Sequence, residues 1–140
     1  MPPVKRTIRL EREQDMKKIL LATLASGLWI IASEFLRNEV LLKQYWLNKY
    51  AELAQPFPSA PINNALWALW AFLLASNITF FVRKLTFTGA LLASWTLAFL
   101  MMWVVIWNLN VLPQGLLCTA APWSIGEVAV AILITKKIMR

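Results

Sequence analysis

The sequence predicts an all-α integral membrane protein, a four-helix bundle running up-down-up-down with both termini in the cytosol. Three observations predict it. Apolar residues make up 59% of the 140 and charged residues 15%, against roughly 45–50% and about 25% in soluble domains. A soluble fold cannot hide that much apolar surface behind so few charges. Four apolar stretches each approach the roughly 20 helical residues that cross about 30 Å of hydrocarbon. The eight tryptophans fit the belts that Trp forms at membrane–water interfaces. At this length the chain, 1–140, reads as a single transmembrane domain.

The elements follow in order. Residues 1–18, with "VKRTIRLEREQDMKK", mix acids and bases with little apolar content. They read as a basic cytosolic segment, a helical extension or tail drawn to anionic lipid; a docking site for a partner is the sharper alternative. The first span is 19–36, "ILLATLASGLWIIASEFL". No small-residue cleavage site follows it, so it reads as a span and not as a signal peptide.

Residues 37–61 form an outer segment. Leu42, Trp46, Lys49 and Leu53 recur at helical spacing, flanked by Tyr45 and Tyr50, which predicts an amphipathic helix lying on the outer leaflet. A lid over a cavity is the alternative. "QPFPSAP" ends that helix and redirects the chain, as clustered prolines do. The second span, 62–82, and the third, 85–107, are joined by a tight hairpin at Arg83 and Lys84. The fourth, 116–135, is interrupted by Pro122 and Gly126. The closings "ASNITFFVRK" and "VAILITKK" hint at duplicated hairpins, a match short enough to arise by chance in apolar sequence.

Charge sets the orientation. Lys5, Arg6, Arg9, Arg12, Lys17 and Lys18 precede the first span, Arg83 and Lys84 join the middle two, and Lys136, Lys137 and Arg140 follow the last. The other side has Arg37, Lys43 and Lys49, offset in part by Glu39 and Glu52, and then an uncharged connection. Positive charge stays inside, so the termini are placed in the cytosol of a multi-pass membrane protein, in the cytoplasmic membrane if the source is bacterial. Tyr45, Trp46, Tyr50, Trp67, Trp70, Trp103, Trp107 and Trp123 all fall in the outer loops or outer halves of spans, which agrees.

The net charge of +7 sits in short clusters at span ends and not in the basic stripe of a soluble face, which argues against nucleic acid. The implied partners are the bilayer and anionic lipid at the basic ends, with a homo-oligomer or larger membrane complex compatible with an apolar exterior. One cysteine and no histidine exclude an intrachain disulfide and a Cys/His metal site. No cofactor is expected. Cys118 reads as a small apolar side chain.

Polar groups inside the spans carry the functional inference. Glu34 lies about 24 Å along the helix from Lys18, near the outer interface, with Arg37 at i+3 as a ready partner; this reads as an interfacial ion pair ending the first span. Glu127 lies about 12 Å from Thr135, at a depth shared with Asn77 of the second span and Ser94 of the third, so Glu127, Asn77 and Ser94 form a candidate polar layer. Three roles compete for Glu127: structural hydrogen bonding between helices, a helix cap in the pattern Ser124-x-x-Glu127 beyond a break at Pro122, and a functional carboxylate. The two carboxylates differ in depth by about 12 Å on these counts, too far for paired acid–base work. The expected function is therefore non-catalytic, a small structural or accessory membrane subunit. The alternative is a small oligomeric transporter or channel with Glu127 as its proton- or cation-binding carboxylate.

Overall fold

The computed structural model describes the backbone of residues 3–140 and the side chains of residue 8 and of residues 10–140. Of the basic segment 1–18, residues 1 and 2 and the side chains of Lys5, Arg6 and Arg9 lie outside the described residues. No strand occurs among the described residues. Helix α1 spans Pro3–Phe35 and continues as a wider π-helical turn through Leu36–Leu41. Helix α2 is Lys43–Glu52 and α3 is Pro61–Val82. Helix α4 is Phe87–Asn108, with a second π-helical turn at Thr96–Leu100. Helix α5 is Leu116–Met139. Among the described residues four stretches are long and apolar enough to cross a membrane, Leu10–Leu41, Pro61–Val82, Phe87–Asn108 and Leu116–Met139.

Local chemistry fixes the breaks. Leu42 ends the first helical run, its amide donating to the Arg37 carbonyl at 2.8 Å, an i→i+5 bond that closes the wide turn. Helix α2 stops where Ala54 takes φ 52°, the left-handed position that commonly terminates a helix. Pro61 then opens α3, where its fixed φ and missing N–H are harmless. Thr86 caps α4, its hydroxyl accepting from the Gly89 amide at 3.2 Å. Gly115, at φ 76°, turns the chain into α5.

Helix α5 is continuous through Pro122. Ser124 is thus an interior helical residue, and the capping role for Ser124-x-x-Glu127 is corrected: the helix has already started at Leu116. Helices in lipid tolerate such a proline because neighbours re-satisfy the freed carbonyl. Helix α1 likewise runs beyond the expected end at residue 36. Glu34 and Arg37 look like a boundary in the sequence, but they are buried and paired (below), so the helix need not stop for them.

Helix α1 packs on α3 and α5, α4 packs on α3 and α5, and α3 also meets α5. Small side chains make the close approaches: Ala22, Ala75, Ala90 and Ala131 are fully buried, together with Ile30, Ile78, Phe99, Val128 and Ile132. The outside is as apolar as the inside. Leu20, Leu24, Leu73, Phe80, Leu92, Val104 and Leu133 are all more than half exposed, and only 28–33% of the most apolar stretch of each spanning helix is buried. In water such a surface would drive aggregation. Surrounded by acyl chains it is ordinary, which supports a multi-pass membrane protein.

Candidate functional site

The polar groups of α1 fall at Ser33, Glu34, Arg37 and Asn38, spacing that places them on one side of a helix. That side faces inward: Ser33 is 4%, Glu34 6% and Arg37 3% exposed. Arg37 Nη2 is paired with Glu34 Oε1. Asn38 Nδ2 donates to Glu34 Oε2 at 2.8 Å, and Trp46 Nε1 of α2 donates to Asn38 Oδ1 at 3.2 Å. The Arg37 guanidinium carbon lies 5.1 Å from the centre of the Phe99 ring, within cation–π range. Arg37 and Phe99 belong to the two π-helical turns, so the widened parts of α1 and α4 meet at this contact.

Helix α5 reaches the same cluster through Glu127, which is 2% exposed. Ser33 Oγ donates to Glu127 Oε2 at 2.6 Å, Trp123 Nε1 donates to Ser33 Oγ at 3.0 Å, and Trp29 Nε1 donates to the Glu127 carbonyl at 3.0 Å. Trp29 and Ser33 on α1, and Trp123 and Glu127 on α5, are each i,i+4 pairs, so one turn of each helix is stitched to one turn of the other. The second carboxyl oxygen of Glu127, Oε1, is buried and has no partner among the described residues. Farther along, Trp95 Nε1 of α4 donates to Ser124 Oγ of α5 at 2.9 Å.

A cavity of about 410 Å³ opens at the α2 end of the bundle, within the size range of small-molecule sites. Glu34, Arg37 and Asn38 line it, with Trp46 and Tyr50 from α2 and Phe57 and Pro58 from the proline-rich connection. The remaining lining comes from Ile31, Phe35 and Glu39 of the first helical run, from Val111, and from the adjoining ends of α3, α4 and α5. Glu127 is not among the lining residues. Among the described residues no three metal-ligating side chains gather.

The residues singled out in the sequence are distributed as follows. Glu34 and Arg37 form their ion pair, but buried in the bundle beside Ser33, which bonds Glu127. The expected separation of the two carboxylates in depth does not hold. Helix α5 runs to Met139, four residues or about 6 Å past Thr135, and counting along axes neglects helix tilt. Asn77 does not hydrogen-bond to Glu127; it is half-buried and donates to the Leu73 carbonyl of its own helix at 2.9 Å. Ser94 is fully buried, and its hydroxyl has no partner among the described residues. Sequence reasoning missed Ser33, Trp29 and Asn38, and it assigned Trp123 to an interfacial belt. The face shared by Ser33, Glu34, Arg37 and Asn38 was the available signal. No protein-family model, curated protein or solved structure matches this chain.

Proposed function

We propose that the chain is a non-catalytic four-span membrane protein, a structural or accessory component whose buried ionic cluster fastens its first span to its last. The observation that carries this reading is the setting of Glu127. Ser33 holds the carboxyl, Trp29 holds the backbone carbonyl of the same residue, and the side chain stands away from the cavity. That is how a group binds two helices together, whereas a carboxylate that exchanges ions needs a path to water. Interhelical hydrogen bonds in lipid contribute only about 0.6 kcal/mol each on average, so fastening takes several of them on one turn.

In this reading the helices run up-down-up-down with both termini in the cytosol. Contacts between Thr23 and Thr79 and between Lys136 and the Phe87 ring support it, since each joins residues near the same charged end. Helix α2 lies at the outer interface, where Tyr45 and Leu47 stay exposed while Leu42 is buried. The apolar exterior suits lipid, a second copy or a larger complex.

The buried Glu127 oxygen without a partner among the described residues supports a second reading, a proton- or cation-coupled transporter working through Glu127. The variants Glu127→Gln and Glu127→Leu separate the two. Glutamine keeps an acceptor for Ser33, so fastening predicts unfolding within about 0.5 kcal/mol of wild type in an SDS titration from mixed micelles. Leucine leaves the buried Ser33 hydroxyl without its acceptor on α5 and lowers stability by about 1–3 kcal/mol. Proteoliposomes loaded with a pH-sensitive dye supply the opposing result: a proton leak in wild type that disappears in Glu127→Gln, with the fold intact, would establish transport.

A further inference from the structure

Where the ionic cluster meets the cavity, at Glu34, Arg37 and Asn38, the acceptors are satisfied and the donors are short. Both Glu34 oxygens are occupied, one by Arg37 and the other by Asn38. Asn38 is in turn engaged through both ends of its amide. Arg37 presents five N–H donors, yet its Nε and Nη1 find no acceptor among the described residues while the side chain is 3% exposed. Buried donors without acceptors are uncommon in native proteins. Arg37 lines the cavity, which is where an acceptor would arrive.

We infer that this cavity binds an uncharged, largely apolar small molecule that presents a carbonyl-type oxygen to Arg37. The missing complement is an acceptor and not a charge, because Glu34 already neutralises the guanidinium. An anion would share the site with the Glu34 carboxylate at close range. A cation would face Arg37 and find Glu34 engaged and Glu39 paired with Lys43 at 2.7 Å. The walls suit a planar body: Trp46, Phe57, Trp67 and Trp103 contribute rings, and Ile106 and Met102 contribute aliphatic surface. Helix α2 and the proline-rich connection form part of the enclosure, so the segment that lies outside the spans has the work of a cover over this site.

Three ligands on one naphthalene frame test the assignment: the neutral ketone 2-acetonaphthone, the carboxylate 2-naphthoate, and N,N,N-trimethyl-2-naphthylammonium. Each is titrated calorimetrically into the full chain in nanodiscs, with empty nanodiscs subtracted. The ketone is expected to saturate at one per chain and at least tenfold more tightly than either charged analogue. Arg37→Lys keeps the charge beside Glu34 but removes the Nε and Nη1 donors, and should weaken ketone binding at least tenfold. Ala68→Phe fills the cavity from α3 without touching the ionic cluster; it should abolish saturable binding while the unfolding midpoint stays put. Tighter binding of the carboxylate or of the ammonium overturns the assignment. So does the absence of a saturable phase for the ketone, which would leave water as the partner of Arg37. None of these results depends on how Glu127→Gln behaves.

Discussion

Where α3 turns into α4, the helices meet through Ala22, Ala75, Ile78, Ala90 and Ile132, all fully buried; Ser26 returns its hydroxyl to the Ala22 carbonyl of its own helix at 2.7 Å, and Thr23 and Thr79 make a hydroxyl contact between helices. At the α2 end the same helices stand around about 410 Å³ of open space, held by an ion pair, three tryptophan N–H groups and two widened helical turns. Lipid offers no hydrophobic drive for helices to associate, so each end needs another source of attraction. One end uses van der Waals contact between small residues. The other uses directional polar bonds, which hold helices at a distance and thus leave room between them.

The largest test of that contrast is Arg37→Leu. It strips the counter-ion from a buried Glu34, and breaking a buried pair by removing one partner costs about 3–5 kcal/mol. Unfolding by SDS should register a loss of that size, and a loss below about 1 kcal/mol would show that the polar end is not what holds α1. Gly27→Ala probes the contact-built side. A Cβ there would run into the Phe72 ring, and such overpacking costs about 1–3 kcal/mol. Phe72→Leu in the same chain should recover part of the loss; additive losses would mean that α1 and α3 do not meet at this point. The smallest effect concerns the cover. Ala54 sits at φ 52°, which strains an L-residue by roughly 1 kcal/mol. Ala54→Gly relieves this against about 0.5 kcal/mol of added chain entropy. A net gain of about 0.5 kcal/mol is expected, measured as a higher unfolding midpoint, with no change if the end of α2 does not contribute to the cooperative fold.

The same contrast explains what could be read in advance. Helices and their apolar surfaces follow from runs of Leu, Ala and Trp, and those were legible, as was the Glu34–Arg37 pair at i,i+3. The site was legible only in part because charged residues near a span end have two readings. Glu34 and Arg37 mark a boundary if nothing covers them and a core cluster if another helix does, and that helix lies about ninety residues away in sequence. Trp123 shows the same ambiguity: an indole N–H seeks a polar partner, and a buried Ser33 serves as well as an interfacial headgroup. Asn77 failed as a member of the polar layer because a short amide in a helix can bond its own preceding turn, as Ser and Thr side chains do in the i−4 pattern.

The stitch between α1 and α5 also imposes an order on synthesis. Ser33 and Glu127 are separated by 94 residues, which at about 5–20 residues per second means that α1 waits roughly 5–20 s for its partner to be made. During that interval Glu34 and Arg37 must enter the bilayer on a helix that has no α5 beside it, and an unmatched charge at the centre of a span costs about 2.5–3.5 kcal/mol to insert. A partner three residues away travels with the helix from the moment it leaves the ribosome. The local pair therefore serves the nascent chain first and the finished bundle second, and Glu127 joins an assembly that is already electrically balanced.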